Sequence, residues 1–302
     1  MSRSRREVLR AGFLAMLAGR AAAAGKDRML TKPIPKTGEQ LPVIGMGTYR
    51  TFDVSGGEYA PLREVLKTFF DKGGRLIDSS PMYGRAEQVV GELASGSPRP
   101  FLATKVWTSG KDEGIAQMRR SMKLMQPEST APFDLMQIHN LVDWKTHART
   151  LRDWQAKGII RYWGITHYVS SAFDEMERIV RAEKPDFVQL PYSVGMRDAE
   201  KRLLPACAEM KAAVIVDRPF EGGSSFREVA KRPLPAWAAE IGCSSWAQIF
   251  LKFILGHPAV NCPIPATSSA LHMQDDLGAG FGILPDEQQR SRIAQELNGG
   301  NR

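Results

Sequence analysis

Leu76-Ile77-Asp78-Ser79-Ser80-Pro81-Met82-Tyr83-Gly84 opens on a short apolar run and closes on a turn. Two later stretches repeat the form: Phe101-Leu102-Ala103-Thr104-Lys105 and Leu135-Met136-Gln137-Ile138-His139-Asn140. Each is a buried strand handing over to a loop, and each ends on a chemistry-bearing side chain. In a parallel barrel all strands open at their C-terminal ends onto one face, where the chemistry is done. Asp78, Lys105 and His139, with Tyr83 five residues past the Asp, are therefore expected to converge on one pocket.

The rest of the chain reads in the same rhythm. Strand candidates are Val43–Gly47, Arg75–Asp78, Phe101–Lys105, Leu135–His139, Tyr162–Thr166, Phe187–Leu190, Ala213–Val216 and Asn261–Pro265. Segments of helical period lie between them, such as Pro61–Asp71 with Leu62, Val65, Leu66 and Phe69 on one face, and Lys111–Met125. Eight strands alternating with helices predict an α/β chain folded as a (β/α)8 TIM barrel in one domain, residues 25–302. Leu30–Val43 reads as a hairpin turning at Thr37-Gly38, and Pro285–Leu297 as an extra C-terminal helix. A doubly wound sheet would need a GxGxxG after the first strand; Gly45-Met46-Gly47-Thr48 supplies two glycines and stops.

Composition narrows the function. With 43% hydrophobic and 25% charged residues among 302, the chain has the make-up of an ordinary globular protein. Half of its net charge of +8 lies in the first 24 residues, and no basic run with interleaved aromatics points to nucleic acid. Those residues read as an export signal. Ser4-Arg5-Arg6-Glu7-Val8-Leu9-Arg10 is a twin-arginine pattern, followed by a weak apolar stretch and Ala21-Ala22-Ala23-Ala24. The apolar stretch would make a helix of only about 13 Å, too short for a membrane span. Cleavage is expected near Ala23 or Ala24, the twin-arginine export machinery is the expected partner of the precursor, and the mature chain is placed in the periplasm. A cytoplasmic location is the alternative. Cys207, Cys243 and Cys262 are expected as buried free thiols, with one disulfide left open, and no metal-ligand cluster is expected.

The chemistry follows from the four convergent residues. A phenol with a pKa of about 10 is a weak acid at neutral pH, and a nearby ammonium lowers that value. Lys105 is the ammonium beside Tyr83, and Asp78 would hold Lys105 charged and oriented. His139 would donate to a carbonyl oxygen on which charge develops. The set suits hydride addition to a carbonyl carbon with proton delivery to its oxygen.

At these residues the sequence resembles the aldo-keto reductase superfamily, from about Leu30 to the C-terminus. Asp78-Ser79-Ser80-Pro81-Met82-Tyr83-Gly84 with Glu87 is similar to the family's second-strand motif. Lys105 and Ile138-His139-Asn140 fall where it places its other catalytic residues, and Gly45-Met46-Gly47-Thr48-Tyr49, Trp163–Tyr168 and Val188–Ser193 resemble its first, fifth and sixth strands. The resemblance implies a nicotinamide cofactor extended over the barrel mouth and a small carbonyl substrate. It assigns cofactor contact to Gly47, Thr48, Thr166, His167 and Gln189, the last three at the carboxamide.

Two places depart from the family pattern. Where the family commonly has a Tyr that stacks on the nicotinamide, this chain has Asp217, within Val216-Asp217-Arg218-Pro219-Phe220. Arg218, Phe220 and the Gly222-Gly223 loop are expected to meet the cofactor instead. Where NADPH-preferring members carry a Lys and an Arg, this chain has Ala266 and His272, with Asp276 in place of an adenine-binding Asn. Thr267 and His272 can still contact a 2′-phosphate, so NADP(H) is preferred and NAD(H) remains possible. Tyr49, Trp107, Phe52 and Trp144 are candidates to wall the substrate pocket. The resulting expectation is an NAD(P)H-dependent carbonyl reductase with Tyr83 as proton donor. The alternative is a non-catalytic nucleotide-binding or redox-sensing subunit on the same fold.

Overall fold

A computed structural model describes residues 28–94 and 98–298. The twin-arginine stretch lies outside them. The chain opens on an antiparallel hairpin of β1 (Thr31–Pro33) and β2 (Gln40–Pro42), which turns through Gly38 at φ 75°. Eight parallel strands follow, each hydrogen-bonded to the next in chain order: β3 (Met46–Gly47), β4 (Leu76–Asp78), β5 (Phe101–Val106), β6 (Phe133–His139), β7 (Ile160–Thr166), β8 (Phe187–Pro191), β9 (Ala213–Asp217) and β10 (Cys262–Pro263). The seam between β10 and β3 is bridged by backbone bonds from Gly45 N to Pro263 O and from Gly47 N to Pro265 O, both 3.0 Å. The expected (β/α)8 barrel with its N-terminal hairpin and C-terminal helix (Glu287–Asn298) is thus what forms.

Strand alternation sorts the side chains into two layers. Leu76, Phe101, Ala103, Leu135, Tyr162, Phe187, Ala213, Ile215, Cys262 and Ile264 fill the barrel interior together with Ile34 and Leu41 of the hairpin segment. The alternate residues on the same strands, such as Ile77, Met136, Ile138, Val188 and Val214, face the helices and form a second, larger core. Continuing the inward rows past the apolar layer places Asp78, Lys105, Gln137, His139, Thr166, Gln189 and Asp217 on the inner wall of the mouth. Registers lock them at neighbouring heights: Lys105 beside Gln137, His139 beside Thr166, and Thr166 beside Gln189.

Gly47 shows how tight the seam is. A Cβ there would come within 2.9 Å of the Ile264 carbonyl oxygen, so the first strand needs glycine to close the barrel. Several connecting helices begin or end one to four residues from the sequence expectation. Helix Ala270–Gly278 was not among the expected elements. It follows the last strand after a short connection, and its Ser269 N-cap, accepting from His272 N, is its start signal. All three cysteines are free and buried.

Candidate active site

The centre of the mouth is a buried ion pair. Lys105 is fully buried at the end of β5, and its Nζ donates to Asp78 Oδ2 at 2.6 Å and to the Ser79 carbonyl at 2.7 Å. The other carboxylate oxygen of Asp78 accepts from Gln137 Nε2 at 3.0 Å and Gln189 Nε2 at 2.8 Å. Burial pulls the Lys105 pKa down, but Asp78 and the nearby Tyr83 and Asp217 outweigh it and hold the ammonium above its ordinary value. The charged lysine is therefore a fixed feature of the site.

Tyr83 sits in the turn after β4, with Lys105 Nζ 5.2 Å from its ring centroid. Its ring meets His139 edge-on at 6.0 Å and Tyr49 at 5.0 Å. The expectation that Lys105 makes this phenol a stronger acid is corrected here. Lys105 does pull the value down, but burial pushes it up by more, with Asp78, Asp217 and Tyr49 adding to burial, and the phenol ends above its ordinary value. It holds its proton firmly until charge develops next to it.

His139 is buried at the end of β6, and burial together with the Lys105 charge and His167 drives its pKa down to about 2. It is a neutral imidazole at every ordinary pH. Its Nδ1 lies 3.0 Å from Ser80 Oγ, which also accepts from Met82 N at 3.4 Å. When the Ser80 hydroxyl donates to Nδ1, the ring proton lies on Nε2. Ser80 and Gln137 were not among the expected site residues. Gln137 was findable, two positions before His139 on the inward row; Ser80 was not, because its partner lies 59 positions away.

Tyr49 and Trp107, both exposed, flank the Tyr83–His139 pair, with Trp107 at 6.4 Å from the His139 ring. Phe52 and Trp144 do not join them. Phe52 is fully buried in the core, and the Trp144 indole donates to Glu175. Glu87 lies behind β5, where it accepts from Thr104 and, at 3.0 Å, from Ser121. It ties the β5 wall to the helix Lys111–Met125 instead of facing the mouth.

The residues expected to hold a cofactor divide into two groups. Thr166 and Gln189 are inside the mouth but bonded within the protein: Thr166 Oγ1 donates to Gln189 Oε1 at 3.1 Å, while Gln189 Nε2 is turned to Asp78. Thr48 is buried, with its hydroxyl 3.0 Å from both the Asp78 carbonyl and Ser79 Oγ, so it braces the turn between Asp78 and Tyr83. His167 is half-buried and stacked on Tyr168. Arg218 is exposed at φ 51°, at the start of a loop held by Glu221, which accepts from Ser193 Oγ at 2.6 Å and Gly195 N at 3.1 Å. Phe220 packs on Phe226 and Phe250, so its ring belongs to an aromatic cluster under that loop.

Thr267 and His272 stand at the start of helix Ala270–Gly278, Thr267 buried and His272 exposed. Asp276 is buried on the inner side of that helix, and burial, with Asp275 next to it, lifts its pKa to about 8. At neutral pH it is a neutral carboxylic acid, which like an amide can donate and accept.

A parallel barrel whose mouth holds a buried Lys–Asp pair, a tyrosine hydroxyl and a neutral imidazole defines an oxidoreductase site for carbonyl groups. The chain belongs to the aldo/keto reductase family, whose model matches residues 43–295. It is 27% identical to methylglyoxal reductase YeaE of Escherichia coli over 261 residues, 82% of this chain and 89% of that one. Among solved structures it is similar to aldo-keto reductase AKR11C1 from Bacillus halodurans, with TM-score 0.73, 19% identity and coverage of 89% and 96% of the two chains. An aldo-keto reductase from Klebsiella pneumoniae in complex with NADPH gives TM-score 0.73 at 24% identity, covering 89% and 96%.

Proposed function

We propose that the chain reduces a small aldehyde or ketone with NADPH, with Tyr83 delivering the proton to the carbonyl oxygen. The single observation that carries this reading is the Tyr83–Lys105–Asp78–His139 cluster on the inner wall of one barrel mouth. Bound NADPH supplies the hydride to the carbonyl carbon. His139 Nε2–H would hold the carbonyl oxygen, and Tyr83 would protonate it as negative charge builds there. Lys105 offsets the phenolate that remains, and Asp78 keeps Lys105 charged and in place. Tyr49 and Trp107 wall the substrate and limit water access.

The mouth fits a nucleotide. Two buried acceptors at the C-terminal ends of β6 and β9, Asn140 Oδ1 and Asp217 Oδ1, have no partner among the described residues. Arg218, exposed after β9, would meet a phosphate, and the N-terminal end of helix Ala270–Gly278, with Thr267 and His272, would offer backbone N–H groups and an imidazole to a 2′-phosphate. No arginine fork grips that phosphate, so the preference for NADPH over NADH is expected to be modest. Similarity to a methylglyoxal reductase supports a small dicarbonyl as first substrate to try.

The test is Tyr83→Phe, followed by NADPH oxidation with methylglyoxal and a carbonyl panel. Turnover should fall by about 10²–10⁴-fold while nucleotide affinity stays within about twofold. Unchanged turnover would remove the proposal, and steady-state turnover by the wild type sets aside a non-catalytic subunit. On the strength of Arg5-Arg6 and the following apolar stretch, we also propose that residues 1–24 are a twin-arginine export signal. Paired Lys substitution of Arg5 and Arg6 should leave the precursor in the cytoplasm on fractionation, and export unaffected by that change would refute it.

A further inference from the structure

The mouth carries one carboxyl group that the reduction step leaves unused. Asp217 ends β9 two residues after Ile215, on the inward row above the apolar layer. Its Oδ1 is sealed from solvent and has no hydrogen-bond partner among the described residues. A buried acceptor without a donor needs an explanation.

The groups around it do not supply one. Lys105 of β5 feels the Asp217 charge, but its ammonium is bonded to Asp78 and the Ser79 carbonyl. Asp78 of β4 repels it, Arg218 follows it in the chain and is exposed, and Tyr83 lies close enough for Asp217 to raise its pKa. Pro191, its partner on β8, and Ile264 beyond β10 are uncharged. The His139 ring is neutral. Meanwhile Gln189 and Thr166, expected at a carboxamide, are bonded to Asp78 and to each other.

We propose that Asp217 is a cofactor-binding residue whose carboxylate faces the nicotinamide ring and stabilises its oxidised, positively charged form over the reduced, neutral form. The inference rests on the NADPH-dependent reading above. A fixed negative charge in a partly desolvated mouth attracts the cationic ring and has no such attraction for the neutral one. The bound nucleotide is thereby made a stronger hydride donor, because the state left after hydride departure is the one Asp217 favours. The effect requires an ionised Asp217. Burial lifts its pKa to about 7, with Asp78 adding to burial and Lys105 opposing it, so the attraction is present well above pH 7 and lost well below.

The test is isothermal titration calorimetry of the whole chain with NADP⁺ and with NADPH, at pH 6.0 and pH 8.5 and one ionic strength. The ratio Kd(NADP⁺)/Kd(NADPH) should fall by roughly tenfold on going to pH 8.5 in the wild type. It should stay flat in Asp217→Asn. The 2′-phosphate titrates in both nucleotides and cancels in the ratio. A flat wild-type ratio overturns the proposal, as does a variant that keeps the wild-type fall. If Asp217→Asn does not fold, the wild-type ratio alone decides. Failure of both nucleotides to bind would overturn the NADPH-dependent reading itself, whereas binding with a flat ratio removes only the role of Asp217.

Discussion

Asp78→Asn should cost more stability than any surface change, and the reason is visible in the bonds it breaks. The Asp78 carboxylate is 2% exposed and accepts from Lys105, Gln137 and Gln189, at 2.6, 3.0 and 2.8 Å. At 2.6 Å and an effective dielectric of about 20, the gross attraction to Lys105 is roughly 6 kcal/mol. Most of it replaces hydration lost on burying both groups. Removing the charge from one partner leaves that hydration cost uncompensated on a fully buried ammonium, so a loss of about 3–5 kcal/mol is expected. For a domain of this size that corresponds to a fall in Tm of roughly 5–9 °C. Lys105→Met should cost a similar amount by orphaning the carboxylate. The double variant removes both charges and should recover most of the loss while remaining inactive. Urea unfolding at pH 7.5 on all four proteins closes the cycle. Additive losses in the double variant, or a loss below about 1 kcal/mol for Asp78→Asn, would refute the claim that these charges hold each other in the interior.

Two further outcomes follow from the same geometry. Ser80→Ala removes the group that orients His139 through Nδ1 at 3.0 Å, so kcat/KM should fall by about tenfold with nucleotide Kd unchanged; an unchanged kcat/KM would show that the ring is held without Ser80. The second concerns pH and stability. Burial raises Asp276 to about 8 and Asp217 to about 7, so the folded chain keeps protons that the unfolded chain gives up from about pH 4. Stability from these groups is full below pH 4 and is lost as pH rises through their folded values. His139 and His257, lowered by burial to about 2 and about 4, act in the opposite sense but only below about pH 6.5. Between about pH 6.5 and 7.5 the histidines no longer oppose the two acids and the unfolding free energy should decline, until Lys32, lowered by burial to about 8, begins to act against them. Asp276→Asn, which cannot ionise, should flatten that decline and be the more stable protein at pH 8.5 in urea titrations. A decline of equal slope in the variant would place its origin elsewhere.

The barrel was legible because its determinants are local. Apolar runs of strand length end on loops at regular intervals, and the inward period of two puts Asp78, Lys105 and His139 on one wall whatever the detailed packing. Tyr83 was legible for the same reason, being fixed to Asp78 by a short turn. The sequence also showed Asp217 standing where an aromatic ring is usual, though not what its carboxyl would do.

What only the folded chain decided is which groups pair and how deeply they are buried. Gln189 lies 111 residues from Asp78, and no spacing rule says that its amide turns to that carboxylate. Phe52, Trp144 and Phe220 carry the same aromatic signal as Tyr49 and Trp107, and only packing sends the first three into the core, to Glu175 and to a phenylalanine cluster. The sign of the Tyr83 shift depended on a contest between one ammonium and the surrounding desolvation. Alternation and turns are written residue by residue, while desolvation is a sum over neighbours drawn from every strand. Order along the chain settles the first kind of property, and only closure of the barrel settles the second.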